Sequence, residues 1–219
     1  MNKNPQKIKK MFDDLSQIYD KANNIISLGT HNLVKKSAIN NFNFSGKVLD
    51  LCTGTGDIAE LLKNKCDIIG VDFSEKMLEI AKRKHPDIKF IQADCTKLPF
   101  EDNSFDAVTI SFGLRNIENY DLALDEIYRV LKPNGKFFHL DFGKKNIIAD
   151  LIFDLFVPIV TKLFYNENKP YQYLVKSKQL FLNKNSLIKL FNKHKFRLIK
   201  EKSFIFGVIS CQFCEKKQD

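Results

Sequence analysis

The chain has 219 residues, 44% of them hydrophobic and 28% charged, the proportions of one soluble globular domain with a full core. Its formal charge of +9 comes from lysines spread along the whole length beside Asn, Ile and Phe. That is compositional bias, and it argues against a dedicated nucleic-acid reader.

In chain order three parts follow, all read as one domain. Residues 1–41 form a polar, helix-like leader, residues 46–142 a dense βαβ alternation, and residues 143–219 a segment that is helical first and strand-like at its end. The first ten residues are polar and lysine-rich with no apolar run behind them, so no secretory signal is read. The five cysteines are accordingly expected as free thiols in a reducing, cytoplasmic setting.

The middle part predicts five strands, at 47–51, 67–71, 88–93, 105–112 and 135–141, with helices near 57–63, 75–84 and 119–131 between them. Ser74 before Glu75 and Met77-Leu78 is an N-cap signal, and Lys132-Pro-Asn-Gly135 a turn that stops the third helix. Short strands alternating with helices imply a parallel sheet with right-handed crossovers, whose ligands bind at the carboxyl ends of the strands.

The first strand end is the most informative stretch. Val48-Leu-Asp-Leu-Cys-Thr-Gly-Thr-Gly-Asp57 is an apolar strand, an acid (Asp50), a loop with Gly54 and Gly56, and a helix start. Glycines admit close backbone approach, and a helix N-terminus offers free N–H groups to an anion. The loop fits the dinucleotide fingerprint as well as a methyl-donor loop, so NAD and S-adenosylmethionine both remain open on these residues. Asp72 at the second strand end has the spacing of an acid that meets ribose hydroxyls, against a bland reading as a helix-capping carboxylate. Asp94 at the third would accept from an adenine amino group, against a bland reading as a turn residue. The fourth strand ends in Ser111-Phe-Gly-Leu-Arg-Asn116.

In the leader, Asp20, Asn23, Ser27 and His31 recur at three- and four-residue steps and would share one face of a single helix, flanked by Tyr19. Near the C-terminus, apolar pairs over 147–164 predict an amphipathic helix, interrupted by charges and Pro158, that covers the sheet or roofs an apolar tunnel and cannot span a membrane. The final strand is placed at 206–214. Its Cys211-x-x-Cys214 would put the thiols on opposite faces, so no metal is read.

Four blocks carry a resemblance. They are Tyr19-Asp-Lys-Ala-Asn23 with Ile26-Ser27 and His31; Val48–Asp57 with Gly70-Val-Asp-Phe-Ser74 and Met77-Leu78; Phe112-Gly-Leu-Arg-Asn116; and Arg129-Val-Leu-Lys-Pro133 with Gly135. With them the chain resembles the UbiE/COQ5 family of S-adenosylmethionine-dependent quinone C-methyltransferases from about Phe12 to Phe206. The resemblance implies a Rossmann-like class I methyltransferase fold: a mostly parallel seven-stranded α/β sheet, helices on both faces and an N-terminal helical lid.

It also implies S-adenosylmethionine as cofactor, with contacts at Thr55, Asp72, Asp94, Cys95 and Ser111, joined by Asp50, Gly54 and Gly56 of the loop. The acceptor would be a polyprenylated quinol of menaquinone or ubiquinone biosynthesis, contacted by Tyr19 and Asp20. From their place after the fourth strand, Asn116 would orient the acceptor oxygen and Arg115 would stabilise its phenolate or orient a water that takes its proton, against bland readings as a turn-forming Asn and a loop salt bridge. A transient contact at the inner membrane face and a homodimer stay open. Val34 stands where the family has Trp, Asn134 where it has Gly, and Asp141 and Gly143 where it has Glu and Ser. These departures touch the acceptor side more than the cofactor loop. Against this reading stand an RNA methyltransferase, a non-catalytic S-adenosylmethionine scaffold and an NAD enzyme.

Overall fold

The computed structural model describes residues 3–27, 29–143 and 169–217. The leader is three helices. α1 (Pro5–Leu15) starts at Asn4, whose Oδ1 accepts from the Gln6 and Lys7 N–H groups, with proline at the first helical position. α2 (Tyr19–Ile26) and α3 (Thr30–Asn40) are separated by Gly29 at φ +76°, a left-handed conformation that ends a helix. The polar stripe from Asp20 to His31 is therefore split between two helices rather than sharing one. Only its end survives as a pair, with Ser27 Oγ 2.8 Å from His31 Nδ1.

The sheet has seven strands in the order β3-β2-β1-β4-β5-β7-β6. β1 (Lys47–Leu51), β2 (Asp67–Asp72), β3 (Lys89–Gln92), β4 (Phe105–Ser111) and β5 (Leu131–Phe142) are parallel, and β7 (Ile209–Lys216) runs antiparallel between β5 and β6 (Phe196–Phe204). α4 (Asp57–Leu62), α5 (Glu75–Lys84) and α6 (Tyr120–Val130) are the crossovers, and α7 (Lys169–Leu180) and α8 (Lys184–Lys193) precede β6. Ser74 caps α5 as expected, its Oγ accepting from the Met77 N–H at 3.2 Å.

Each face of the sheet is sealed by its own apolar layer. Phe42, Phe44, Phe138 and Phe213 pack on the face that α3 covers, while Phe137, Phe191 and Phe196 fill the face under α6 and α8. Cys211 and Cys214 fall in opposite layers, as period-two alternation requires. Burial raises their thiols to about 11 and about 12.

Three boundaries differ from expectation. The Lys132–Gly135 turn lies inside β5 as a bulge, with Asn134 at φ +61° and a register shift against Phe105 and Ala107. β6 was not placed by the sequence at all: its Arg, Lys and Glu residues show no clean alternation. Residues 206 and 207, expected at the start of the last strand, belong to a 3₁₀ turn, Ile205–Gly207, with Ile205 and Phe206 at φ +49° and +52°, so β7 begins only at Ile209. The expected helix over 147–164 lies outside the described residues.

Candidate functional site

A cleft of about 440 Å³ opens at the carboxyl ends of β1, β2, β3 and β4, with α1 across its top. That is the size and place of a ligand site in a parallel α/β sheet. Gly54, Asp72, Asp94, Cys95, Ser111 and Asn116 all line it, and Tyr19 reaches it from the lid. Residues expected from four separate strand ends and one helix thus meet around one space.

Asp72 closes the end of β2. The Gly54 N–H donates to its Oδ2 and the Ser74 N–H to its Oδ1, each at 2.9 Å, so the carboxylate is oriented by both loops that flank it. Burial pushes its pKa up, against the pull of these N–H donors. Asp94 Oδ1 accepts from the backbone N–H and hydroxyl of Thr96, both at 2.8 Å, which fixes the turn after β3. Cys52 and Cys95 touch each other on the cleft wall, and that contact with burial raises the Cys52 thiol well above its ordinary value.

The glycine loop fits a bulky ligand. Gly54 has φ +57°, and a Cβ built on it would meet nothing within 4 Å, so its open side is free for a ligand. Gly56 has φ +90°, and a Cβ there would lie 2.8 Å from His85, so its hydrogen serves packing. The Ser111 Oγ is buried without a partner at the end of β4. A hydroxyl left unsatisfied on a cleft wall fits a polar ligand group that satisfies it.

Other expected residues sit behind the wall. Asp50 is 1% exposed and accepts from the hydroxyls of Thr53 and Thr109, each at 2.6 Å. Burial raises its pKa to about 6. Thr55, also buried, donates its hydroxyl to Asp20 Oδ1 at 2.7 Å, and Asp20 Oδ2 meets Lys84 at 2.9 Å. Asp20 therefore ties α2 to the glycine loop. Beside it, burial disfavours ionised Asp57, but Lys35 at 2.8 Å and Lys84 outweigh that and hold its pKa at about 2.

Arg115 and Asn116 belong to a 3₁₀ turn, Leu114–Asn116, after β4. The buried Arg115 donates from Nη1 to Asp141 Oδ1 at 2.8 Å and to the Phe112 carbonyl at 2.6 Å. It is not among the residues that line the cleft. Asn116 is held from both ends: its Nδ2 donates to the same Phe112 carbonyl at 3.3 Å, and Tyr173 of α7 donates to its Oδ1 at 3.0 Å.

Three contacts were not foreseen. Ser74 Oγ donates to Asp13 Oδ1 of α1 at 2.6 Å, pinning the lid to the start of α5 across 61 positions. Asp141 was noticed only as a departure from the family pattern, which was its one signal as a partner for Arg115. Lys3 reaches the mouth of the cleft and contacts Tyr120, and no motif surrounds it in the sequence.

Comparison with known proteins agrees with this geometry. The profile of the ubiE/COQ5 methyltransferase family matches residues 1–216. Demethylmenaquinone methyltransferase of Staphylococcus aureus (strain MRSA252) is 35% identical over 99% of this chain and 95% of its own length, and the protein of the same name in strain JH9 matches to the same extent. Among solved structures, a SAM-dependent methyltransferase of Thermotoga maritima superposes with a TM-score of 0.73 at 20% identity, covering 96% of this chain and all of the other. A putative S-adenosyl-L-methionine-dependent methyltransferase of Methanococcus maripaludis gives 0.68 at 20%, covering all of this chain and 98% of its own. These two share the fold. The chain belongs to the ubiE/COQ5 methyltransferase family and is an S-adenosylmethionine-dependent methyltransferase.

Proposed function

We propose that this enzyme methylates a ring carbon of a polyprenylated demethylmenaquinol, giving menaquinol. The observation that carries the reading is the division of the cleft. Its sheet side presents acids and the glycine loop, and its mouth presents Pro5, Ile8, Ile117 and Leu122, apolar groups suited to a greasy ring and the start of its tail. Relatives 35% identical to this chain carry the name of that activity.

When bound, S-adenosylmethionine supplies a methyl group already activated by its sulfonium. The protein then has to bind, align and exclude water. Asp72 would accept from the ribose hydroxyls and Asp94 from the adenine amino group, while Ser111 Oγ and the open side of Gly54 would meet the rest, with Cys95 beside them on the cleft wall. Asp50, Thr55 and Gly56 hold the loop in shape from behind. Tyr19 and α1 close the top. Asn116, fixed by Phe112 and Tyr173, orients the acceptor ring, and Arg115 acts through the loop it pins. A quinol with a long prenyl tail requires transient contact with a membrane surface, and the lysine-rich surface favours an anionic one.

The test is incubation with methyl-labelled S-adenosylmethionine and either demethylmenaquinol or a demethoxyubiquinol precursor. Label should enter demethylmenaquinol. Label in neither acceptor refutes the reading, and salt-sensitive binding and labelling of RNA instead would reassign the enzyme.

A further inference from the structure

Carbon methylation of a quinol needs a positive group at the acceptor oxygen, because the ring carbon becomes nucleophilic only as the neighbouring hydroxyl loses its proton. Arg115, the cation expected there, does not line the cleft, and its Nη1 is committed to Asp141 and the Phe112 carbonyl. Two lysines line the cleft among the described residues, Lys3 and Lys9. Lys9 is committed to Asp13 at 3.1 Å on α1. Lys3 differs. Its ammonium donates to two uncharged oxygens, the Ile117 carbonyl at 3.4 Å and the Tyr120 hydroxyl, and lies 4.4 Å from the centre of the Tyr120 ring.

We propose that Lys3, braced on Tyr120, is the catalytic cation that binds the acceptor's phenolate oxygen. The proposal rests on the quinol reading above and names the group that would activate that substrate. Lys3 shares the cleft lining with Pro5 and Ile8 of α1 and with Ile117, Glu118 and Asn119, which follow Asn116 in the chain, and this part of the lining is assigned to the acceptor. Tyr120 holds an otherwise floppy side chain by hydrogen bond and ring contact, so less ordering entropy is lost when the oxyanion arrives. Lys3 is half-buried, and burial lowers its pKa, which Asp141 partly counteracts and Arg115 reinforces. An anion brought to Lys3 relieves that burial penalty, which makes the site selective for the ionised acceptor.

The step balances without a further reagent. The acceptor O–H bond breaks, its proton goes to water, and the electron pair stays on the oxygen facing Lys3. A ring-carbon-to-methyl bond forms as the donor's sulfur–methyl bond breaks, and that electron pair leaves with the sulfur, which becomes an uncharged thioether. The ring carbon that gains the methyl group loses its hydrogen to water as a proton, and the oxygen is reprotonated. One proton leaves per turnover, and nothing is oxidised.

The test uses the full chain saturated with S-adenosylhomocysteine and the coloured phenol 4-nitro-1-naphthol. Binding to the wild-type protein should lower the naphthol's apparent pKa by about 1 unit, equivalent to about tenfold tighter binding of the phenolate than of the neutral form. Lys3→Met should abolish that shift while leaving affinity for S-adenosylhomocysteine unchanged, and Lys3→Arg should restore it. Tyr120 touches Lys3, Asp141 and Arg115 act on it electrostatically, and Glu118 lines the same cleft; Tyr120→Phe should reduce the shift, and Glu118→Gln should preserve it. In turnover of demethylmenaquinol, Lys3→Met should lower kcat about tenfold and move the acid limb of the pH profile upward. A naphthol shift retained in Lys3→Met overturns the proposal even if the wild type methylates the quinol. A wild type that shifts the naphthol but methylates no quinol overturns the substrate reading and, with it, the catalytic role of Lys3.

Discussion

The Arg115 guanidinium and the Asp141 carboxylate meet inside the protein, Nη1 to Oδ1 at 2.8 Å, with 7% and 0% of the two side chains exposed. The pair joins the turn after β4 to the end of β5, and its remaining Arg115 Nε and Asp141 Oδ2 are buried without partners. A buried pair stripped of one member leaves an uncompensated charge. Arg115→Ala and Asp141→Ala should each cost about 3–5 kcal/mol of stability and both lower turnover by disordering Asn116. Chemical denaturation with parallel kinetics checks this. A stable Asp141→Ala enzyme of normal kcat would show that the pair does not position the loop.

Asp72 connects structure and cofactor. Asp72→Ala removes the acceptor of the Gly54 and Ser74 N–H groups and the expected ribose partner together. S-adenosylmethionine affinity should fall by about 2–3 kcal/mol, some 30- to 150-fold. Calorimetry on the folded variant measures it, and affinity within threefold of wild type would remove Asp72 from the cofactor site.

Asp50 gives a pH signature. Its native pKa of about 6 lies above the unfolded value of about 4, so the native state holds the extra proton between those values. Its contribution to stability is present below about pH 4, declines as pH rises to about 6, and stays lost above that. Asp50→Asn, which can still bond both threonine hydroxyls, should flatten the stability curve in that window. Urea melts at several pH values read this directly. Asp57 has the opposite sign: its native pKa of about 2 adds stability above about pH 4 that disappears as pH falls towards 2.

A hydrogen bond from Ser74 latches α1 to the start of α5 through Asp13, whose carboxylate also pairs with Lys9 inside α1. Asp13→Asn keeps the shape of α1 but weakens the acceptor for Ser74 Oγ, where a charged acceptor contributes about 1.5–3 kcal/mol. Hydrogen exchange of the amides of residues 5–15 should accelerate while the sheet keeps its protection. Unchanged exchange there would mean that apolar packing alone holds α1.

The Val48–Asp57 loop, the alternation of strands and helices, and the acids Asp72 and Asp94 were legible without coordinates. Each is a local signal: glycines where the backbone turns left-handed, period-two and period-3.6 apolar patterns, and a carboxylate where a strand ends. They fixed the class of sheet, the end that binds ligand and, with the four motif blocks, the family. Gly29 is an equally local signal, and it separates two helices of the leader where the spacing of the polar residues alone predicts one.

Only the folded chain decided which polar residues face the cleft. Arg115 reads as a site residue by its motif, yet it turns inward because Asp141, 26 positions on, arrives beside it through the pairing of β4 with β5. Lys3 has no motif and meets Tyr120 across 117 positions. Spacing along a chain determines which residues share a strand or helix face. Which charges are neutralised inside and which are left facing the substrate depends on contacts between distant segments, and those are set by how the helices and strands pack.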